Sequence, residues 1–171
     1  MIYLALGSNL SGDFADSQQL IAAAIDNLPL CGAHVVRRAP LYRSAPIGPK
    51  IDGQGQKQRQ GDYINTAVAV RSVVPAAALL QRLHALEAAF GRQRRIKWGP
   101  RTLDIDILSY HDETHAFGAQ IPHPRLGARA FVLYPLRDIA PGWRHPISGV
   151  GVSALIRHLP ASARRGLLKI G

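Results

Sequence analysis

The chain has 171 residues, a formal net charge of +10 at pH 7 and a hydrophobic content of 47%. This composition argues against a disordered chain and predicts a single domain over residues 1–171. No apolar stretch reaches the roughly 20 residues of a membrane span, and the N-terminus lacks the pattern of a signal peptide. The lone cysteine, Cys31, has no internal disulfide partner, so we expect the protein in the reducing cytoplasm.

The first part of the chain predicts a strand, a helix and a second strand. Residues 2–7 form a short apolar segment typical of a buried strand. Residues 13–28 carry an apolar stripe at helical spacing, and Pro29 ends the predicted helix. A strand is predicted over residues 34–43, and the Gln- and Gly-rich residues 51–61 are predicted to be a loop.

The second part of the chain repeats this alternation. We predict a strand over residues 62–73, a helix from Pro75 to Gly91 and a strand over residues 102–110. The resulting order, β-α-β-β-α-β, is typical of a ferredoxin-like sandwich, so the predicted fold class is α+β. The remaining residues predict C-terminal additions: one or two short helices and a late strand over residues 167–170.

Two carboxylates interrupt the fourth predicted strand. Asp104 and Asp106 alternate with apolar residues, so both project from one face with Cα atoms roughly 6.6 Å apart. Two bare anions this close repel each other, and burying them without partners would be very costly. Mg²⁺ would remove the conflict, because this ion is held by one or two carboxylates plus substrate phosphates. The simpler alternative is a solvated strand face.

A basic cluster directly precedes this strand. It contains no acidic residue and consists of Arg92, Arg94, Arg95, Lys97 and Arg101. Cations beside a carboxylate pair are what a metal-bound polyphosphate requires, since arginines hold the phosphate oxygens that the metal leaves. The net charge alone would fit a nucleic-acid surface equally well.

Six blocks of the sequence resemble 6-hydroxymethyl-7,8-dihydropterin pyrophosphokinases, a family of folate biosynthesis. The segment 97–108, KWGPRTLDIDIL, resembles the signature of that family. The other five blocks lie at residues 6–10, 41–49, 62–68, 86–92 and 122–131, and all six occur in the order typical of the family.

The resemblance implies an ATP-dependent diphosphokinase. Such an enzyme transfers pyrophosphate from ATP to the hydroxymethyl group of 6-hydroxymethyl-7,8-dihydropterin and releases AMP. The resemblance also implies two Mg²⁺ ions on Asp104 and Asp106, and catalytic roles for these aspartates, Arg92 and Arg101. The residues implied in ATP binding are Glu87, Arg92, Arg94, Trp98, Arg101, Ile107, His123 and Arg129. The residues implied in pterin binding are Ser44, Ala45, Ile47, Tyr63, Asn65, Trp98, Asp104 and Phe131.

Two other functions compete with this interpretation. Another two-metal phosphoryl or glycosyl transferase would explain the metal and the arginines. It would not explain the presence together of Tyr63, Asn65, Trp98 and Phe131. A ferredoxin-like RNA-binding module would use its charge on the phosphate backbone, yet the best-placed strand residues are acidic and would repel RNA. We therefore expect small-molecule substrates, no nucleic acid, no membrane partner and a monomeric protein.

Overall fold

The computed structural model describes residues 1–46, 61–92, 101–111, 113–117 and 119–170. These residues form helices and an antiparallel sheet, which confirms the predicted α+β class. The strands and helices are, in chain order, β1 (Ile2–Ser8), α1 (Ser17–Asn27), β2 (His34–Arg38), β3 (Leu41–Ser44), β4 (Tyr63–Arg71), α2 (Ala76–Ala89), β5 (Asp104–Tyr110), β6 (His115–Phe117), β7 (Ala119–Ile121), α3 (Ala130–Ile139), α4 (Val152–His158), α5 (Ala161–Arg164) and β8 (Leu168–Ile170).

The main sheet has the strand order β5-β1-β4-β3-β8, and β2 pairs with β4 beside this path. Strand β1 is antiparallel to both of its neighbours. In this register Gly7 lies opposite Asn65 on β4 and opposite Asp104 on β5. Three residues that are far apart in sequence therefore form one row across the sheet.

Helices cover both faces of the main sheet. On β4, Val68 and Val70 belong to a buried cluster with residues of α1 and α2, whereas Ala67 and Ala69 belong to a second cluster with residues of α3 and α4. This alternation follows from the two-residue period of a strand. The C-terminal helices thus add a layer on the face opposite α1 and α2.

The strand predicted over residues 34–43 is in fact two strands. The break falls at Ala39 and Pro40, and Pro40 has no amide hydrogen to donate to a ladder. The Ala39 amide still donates to the Ala67 carbonyl at 2.9 Å, so the chain stays against β4 while its pairing is interrupted. The strand predicted over residues 62–73 is shorter than expected and spans Tyr63–Arg71.

The first helix begins later than predicted over residues 13–28. Asp16 caps it, because its side chain accepts hydrogen bonds from the amides of Gln18 and Gln19, both at 2.8 Å. Its end agrees with the prediction to one residue, and a 3-10 turn at Leu28–Cys31 follows. Within the described ranges, no helix has the length and apolar character needed to cross a membrane.

Candidate active site

A cavity of about 290 Å³ lies between the sheet and the start of α3. Its walls come from β1, β3, β4, β5 and the segment that leads into α3. Nine of the predicted site residues line this one cavity: Ser44, Ala45, Tyr63, Asn65, Arg101, Asp104, Asp106, Arg129 and Phe131. Residues from widely separated blocks therefore meet at a single place.

Asp104 is held by two guanidinium groups. Arg92 Nη2 lies 2.6 Å from Asp104 Oδ1, and Arg101 Nη1 donates to Asp104 Oδ2 at 2.6 Å. Each carboxylate oxygen thus has its own arginine. Charge-assisted hydrogen bonds of this length are among the stronger polar contacts in proteins.

Asp106 faces the same cavity with weaker compensation. Its Oδ2 lies 3.8 Å from His123 Nε2 and 3.7 Å from Arg129 Nη1, which is beyond good hydrogen-bond distance. Burial, followed by the negative charge of Asp104, raises the pKa of Asp106 above its usual range. The negative charge of Asp106 is therefore only partly balanced, and a further cation beside it would be favourable.

The alternation predicted for this strand is confirmed. Ile105 and Ile107 lie in the core with 2% and 4% exposure, while Asp104 and Asp106 line the cavity. Two carboxylates at one wall form a donor set that suits a hard divalent cation. Across the part of the chain that the structure describes, no cluster of three or more His, Cys, Asp or Glu side chains could hold a metal. Substrate oxygens or water would have to complete its coordination.

The turn after β1 fixes Arg101 in place. Asn9 Oδ1 accepts a hydrogen bond from the Arg101 amide at 2.8 Å, and the amides of Asn9 and Leu10 donate to the Arg101 carbonyl at 3.1 and 3.2 Å. Burial by itself would lower the pKa of Arg101, but the charge and hydrogen bond of Asp104, together with Tyr63 and Asp106, raise that pKa overall. Sequence reasoning did not select Asn9, although it lies in the family-like block at residues 6–10.

Asn65 occupies a polar corner of the cavity. Its Nδ2 donates to Ser44 Oγ at 3.0 Å and more weakly to the Tyr42 carbonyl at 3.4 Å. The side chain is only 4% exposed, so these bonds fix the orientation of the amide. Gly7 leaves space beside Asn65 Oδ1, since a Cβ atom at Gly7 would approach this oxygen to 3.2 Å.

The wall opposite the sheet combines an aromatic ring with basic groups. The guanidinium carbon of Arg129 lies 5.7 Å from the ring centroid of Phe131, at the first turn of α3. The Arg125 amide donates to His123 Nδ1 at 3.1 Å, which leaves the ring proton of neutral His123 on Nε2, the atom that faces Asp106. Burial lowers the pKa of both His123 and Arg129.

Arg125 also lines the cavity, and sequence reasoning did not select it. The available signal was its place in the Pro-His-Pro-Arg segment at residues 122–125. With Arg125 included, arginines outnumber aspartates on the cavity walls, as expected of a site for a phosphate-bearing molecule.

Some predicted site residues lie elsewhere. Glu87 is 1% exposed and Ile107 is in the core, and neither lines the cavity. Arg92 and His123 are not in its lining either, but they lie against Asp104 and Asp106, which are. Ile47, Arg94 and Trp98 lie outside the described residues, so their roles stay predictions.

The sequence model of the 7,8-dihydro-6-hydroxymethylpterin-pyrophosphokinase (HPPK) family matches residues 3–141. A protein of Synechocystis named 2-amino-4-hydroxy-6-hydroxymethyldihydropteridine pyrophosphokinase is 41% identical over 162 residues, which cover 94% of this chain and 76% of that protein. A protein of Pseudomonas aeruginosa with the same name is 38% identical over 161 residues, covering 93% and 87%. The chain therefore belongs to the HPPK family.

Solved structures agree on the fold. The wild-type HPPK-DHPS of Plasmodium falciparum with pteroate superposes with a TM-score of 0.65 at 14% identity, covering 99% of this chain and 45% of that one. An HPPK-DHPS in complex with substrates gives 0.68 at 14% identity, covering 91% and 43%. The chain thus spans less than half the length of these two solved chains, and at this identity the likeness concerns the fold alone.

Proposed function

We propose that this protein transfers pyrophosphate from ATP to the hydroxymethyl group of 6-hydroxymethyl-7,8-dihydropterin in folate biosynthesis, giving AMP and the pterin diphosphate. The observation that carries this proposal is that Asp104 and Asp106 line the same cavity as Asn65 and Phe131. The same walls carry carboxylates and arginines together with an aromatic ring and an oriented amide. Membership of the HPPK family supports the same reaction.

The carboxylates and arginines of the cavity would bind ATP and Mg²⁺. Asp104 and Asp106 would hold the metal, with two ions expected from the family resemblance. Mg²⁺ bound there would neutralise phosphate charge and polarise the transferred group. Arg92, Arg101 and Arg129 stand at the carboxylates and would exchange these partners for phosphate oxygens.

Phe131, Asn65 and Tyr63 would bind the flat heterocycle. Phe131 would stack on the ring, and Asn65 would present its Oδ1 to donors on the pterin edge, because its Nδ2 is engaged by Ser44. Burial raises the pKa of Tyr63, which keeps its hydroxyl protonated as a donor at the cavity wall. These groups would fix the pterin by its edge and its face.

The residues of this site chiefly position groups and balance charge. The pterin hydroxyl oxygen would form a bond to the β-phosphorus as the bond from that phosphorus to the α,β-bridging oxygen breaks. AMP leaves with that oxygen, and the proton of the hydroxyl group is released to solvent. Arginines that hold the phosphates in line with the hydroxyl would supply most of the protein's contribution.

The fold assignment that goes with this function is a ferredoxin-like sandwich with C-terminal additions. It is supported by the strand order β5-β1-β4-β3 and by α1 and α2 on one face of the sheet. We also propose one domain over residues 1–171, a monomeric state and a cytoplasmic location, on the basis of the composition and the lone Cys31.

The test is release of AMP from ATP and Mg²⁺ by the purified protein, with and without 6-hydroxymethyl-7,8-dihydropterin. We expect AMP to appear only with the pterin. Asp104→Ala and Asp106→Ala should each remove most of the turnover while circular dichroism shows an intact fold. Near-normal turnover in either variant would show that the metal assignment is wrong.

A further inference from the structure

Glu87 is a buried carboxylate outside the cavity in which we expect the substrates to bind. It lies in the last turn of α2, its side chain is 1% exposed, and it does not line the cavity. Burying a carboxylate is costly unless charged or hydrogen-bonded partners compensate it. Glu87 Oε1 has two such partners, the Ile105 amide at 2.7 Å and the Arg92 guanidinium.

The end of α2 brings Arg92 back over Glu87. Gly91 has φ +77°, its amide donates to the Ala88 carbonyl at 3.0 Å, and the Arg92 amide donates to the Glu87 carbonyl at 3.0 Å. This pair of bonds is a Schellman motif, which a glycine at this position favours because it adopts the left-handed conformation without strain. Glu87 therefore contacts Arg92 through both its main chain and its side chain.

Arg92 connects Glu87 to the cavity wall. One guanidinium nitrogen pairs with Glu87, and the other lies 2.6 Å from Asp104 Oδ1, with the arginine side chain only 14% exposed. The second partner of Glu87 is the amide of Ile105, which stands between the two cavity-facing aspartates. One buried carboxylate thus contacts the strand that carries the aspartates and the arginine that neutralises one of them.

We propose that Glu87 is a positioning residue that holds Arg92 ready for the phosphates of the nucleotide. This inference rests on the proposed function and differs from the sequence expectation that Glu87 contacts ATP itself. Nucleotide phosphates that bind beside Asp104 would contact the Arg92 guanidinium, whose other nitrogen is already held by Glu87. Because Arg92 is ordered before the nucleotide binds, less side-chain entropy is lost on binding.

A double-mutant cycle tests whether Glu87 acts through Arg92. Calorimetric titration with Mg·ATP, without pterin, compares the wild type, Glu87→Gln, Arg92→Ala and the double variant. Glutamine keeps an acceptor for the Ile105 amide and removes the charge. We expect Glu87→Gln to weaken Mg·ATP binding about tenfold in the wild-type background and less than twofold in the Arg92→Ala background. Asp26→Asn, which removes the same charge from an exposed position of α1, should change the affinity less than twofold.

The outcomes separate three possibilities. Equal losses from Glu87→Gln in both backgrounds would overturn the inference, since they would show a direct contact with ATP or a general loss of structure. An unchanged affinity of Glu87→Gln in the wild-type background would overturn it as well. A wild-type protein that binds no Mg·ATP would overturn the proposed function, and this inference with it.

Discussion

Gly7 and Asn65 stand directly opposite each other on β1 and β4, so close that a Cβ atom at Gly7 would crowd the Asn65 side-chain oxygen. A methyl group at Gly7 would lie 3.2 Å from Asn65 Oδ1, tighter than an ordinary van der Waals contact. The amide cannot turn away easily, because its Nδ2 donates to Ser44 Oγ at 3.0 Å. The glycine therefore protects the position of the group that we expect to recognise the pterin.

Gly7→Ala should impair pterin binding. We expect the KM for the pterin to rise about tenfold, equivalent to ~1.4 kcal/mol, because the added methyl displaces the Asn65 oxygen. The KM for ATP should stay within twofold. Steady-state kinetics with each substrate varied in turn measures both. Gly142→Ala is the matched control, since a Cβ atom there has no neighbour within 4 Å. Equal effects of the two substitutions would contradict the assigned role of Asn65.

The two aspartates should respond oppositely to neutralisation. Asp104→Asn removes the partner of two arginines at 2.6 Å and should destabilise the metal-free protein by about 1–2 kcal/mol, lowering Tm by roughly 2–6 °C. Asp106→Asn should raise Tm. The pKa of Asp106 is raised in the folded state, so its ionisation at pH 7 opposes folding, and asparagine removes that opposition.

Thermal unfolding at pH 7 in the presence of a chelator measures both changes. Both variants should also lose most of their turnover, because each removes one carboxylate of the expected metal site. Two downward shifts of similar size would show that Asp106 is as well compensated as Asp104, contrary to the geometry.

Asn9→Ala should lower the catalytic efficiency with ATP. The substitution removes the 2.8 Å acceptor of the Arg101 amide, so Arg101 loses part of its fixed position beside Asp104. We expect kcat/KM for ATP to fall about tenfold, a loss of ~1.4 kcal/mol, which is typical of one such hydrogen bond. Asn27→Ala serves as the control, because the Asn27 side chain bonds only within α1 according to the contacts described. Unaltered kinetics of Asn9→Ala would show that the hydrogen bond from the Arg101 amide to Asn9 is not needed to position Arg101.

Nucleotide binding should depend on a divalent metal. ATP with Mg²⁺ should raise Tm by several degrees at saturating concentration, whereas ATP with a chelator should produce a much smaller shift. Without the metal, the triphosphate meets the negative charges of Asp104 and Asp106 directly. Differential scanning fluorimetry measures the shift. Equal stabilisation with and without metal would count against a metal site at these carboxylates.

The local pattern of the sequence correctly predicted β5, the strand that carries Asp104 and Asp106. Alternation over residues 103–107 is a property of neighbouring residues, and the structure places Ile105 in the core and both aspartates at the cavity. The resemblance to a family brought in Ser44, Asn65 and Phe131, which no periodicity joins. Their meeting depends on the strand order, and a local pattern does not encode that order.

Other features depend on contacts between distant segments and were missed. Asn9 holds the backbone of Arg101 across 92 positions of sequence, and nothing near Asn9 indicates this partner. Glu87 was selected through the family resemblance as an ATP-binding residue, but its contacts with the Ile105 amide and with Arg92 could not be read from the sequence. The division of the strand at Pro40 was visible in the sequence, but the apolar residues on either side favoured a continuous strand.

The measurement that tests the central claim most directly is the identity and stoichiometry of the products. The protein is incubated with ATP, Mg²⁺ and 6-hydroxymethyl-7,8-dihydropterin, and the mixture is resolved by mass spectrometry and ³¹P NMR. The proposed function predicts AMP and a pterin heavier by one pyrophosphoryl group in equal amounts, without ADP. A pterin monophosphate with ADP, or nucleotide hydrolysis that leaves the pterin unmodified, would contradict it.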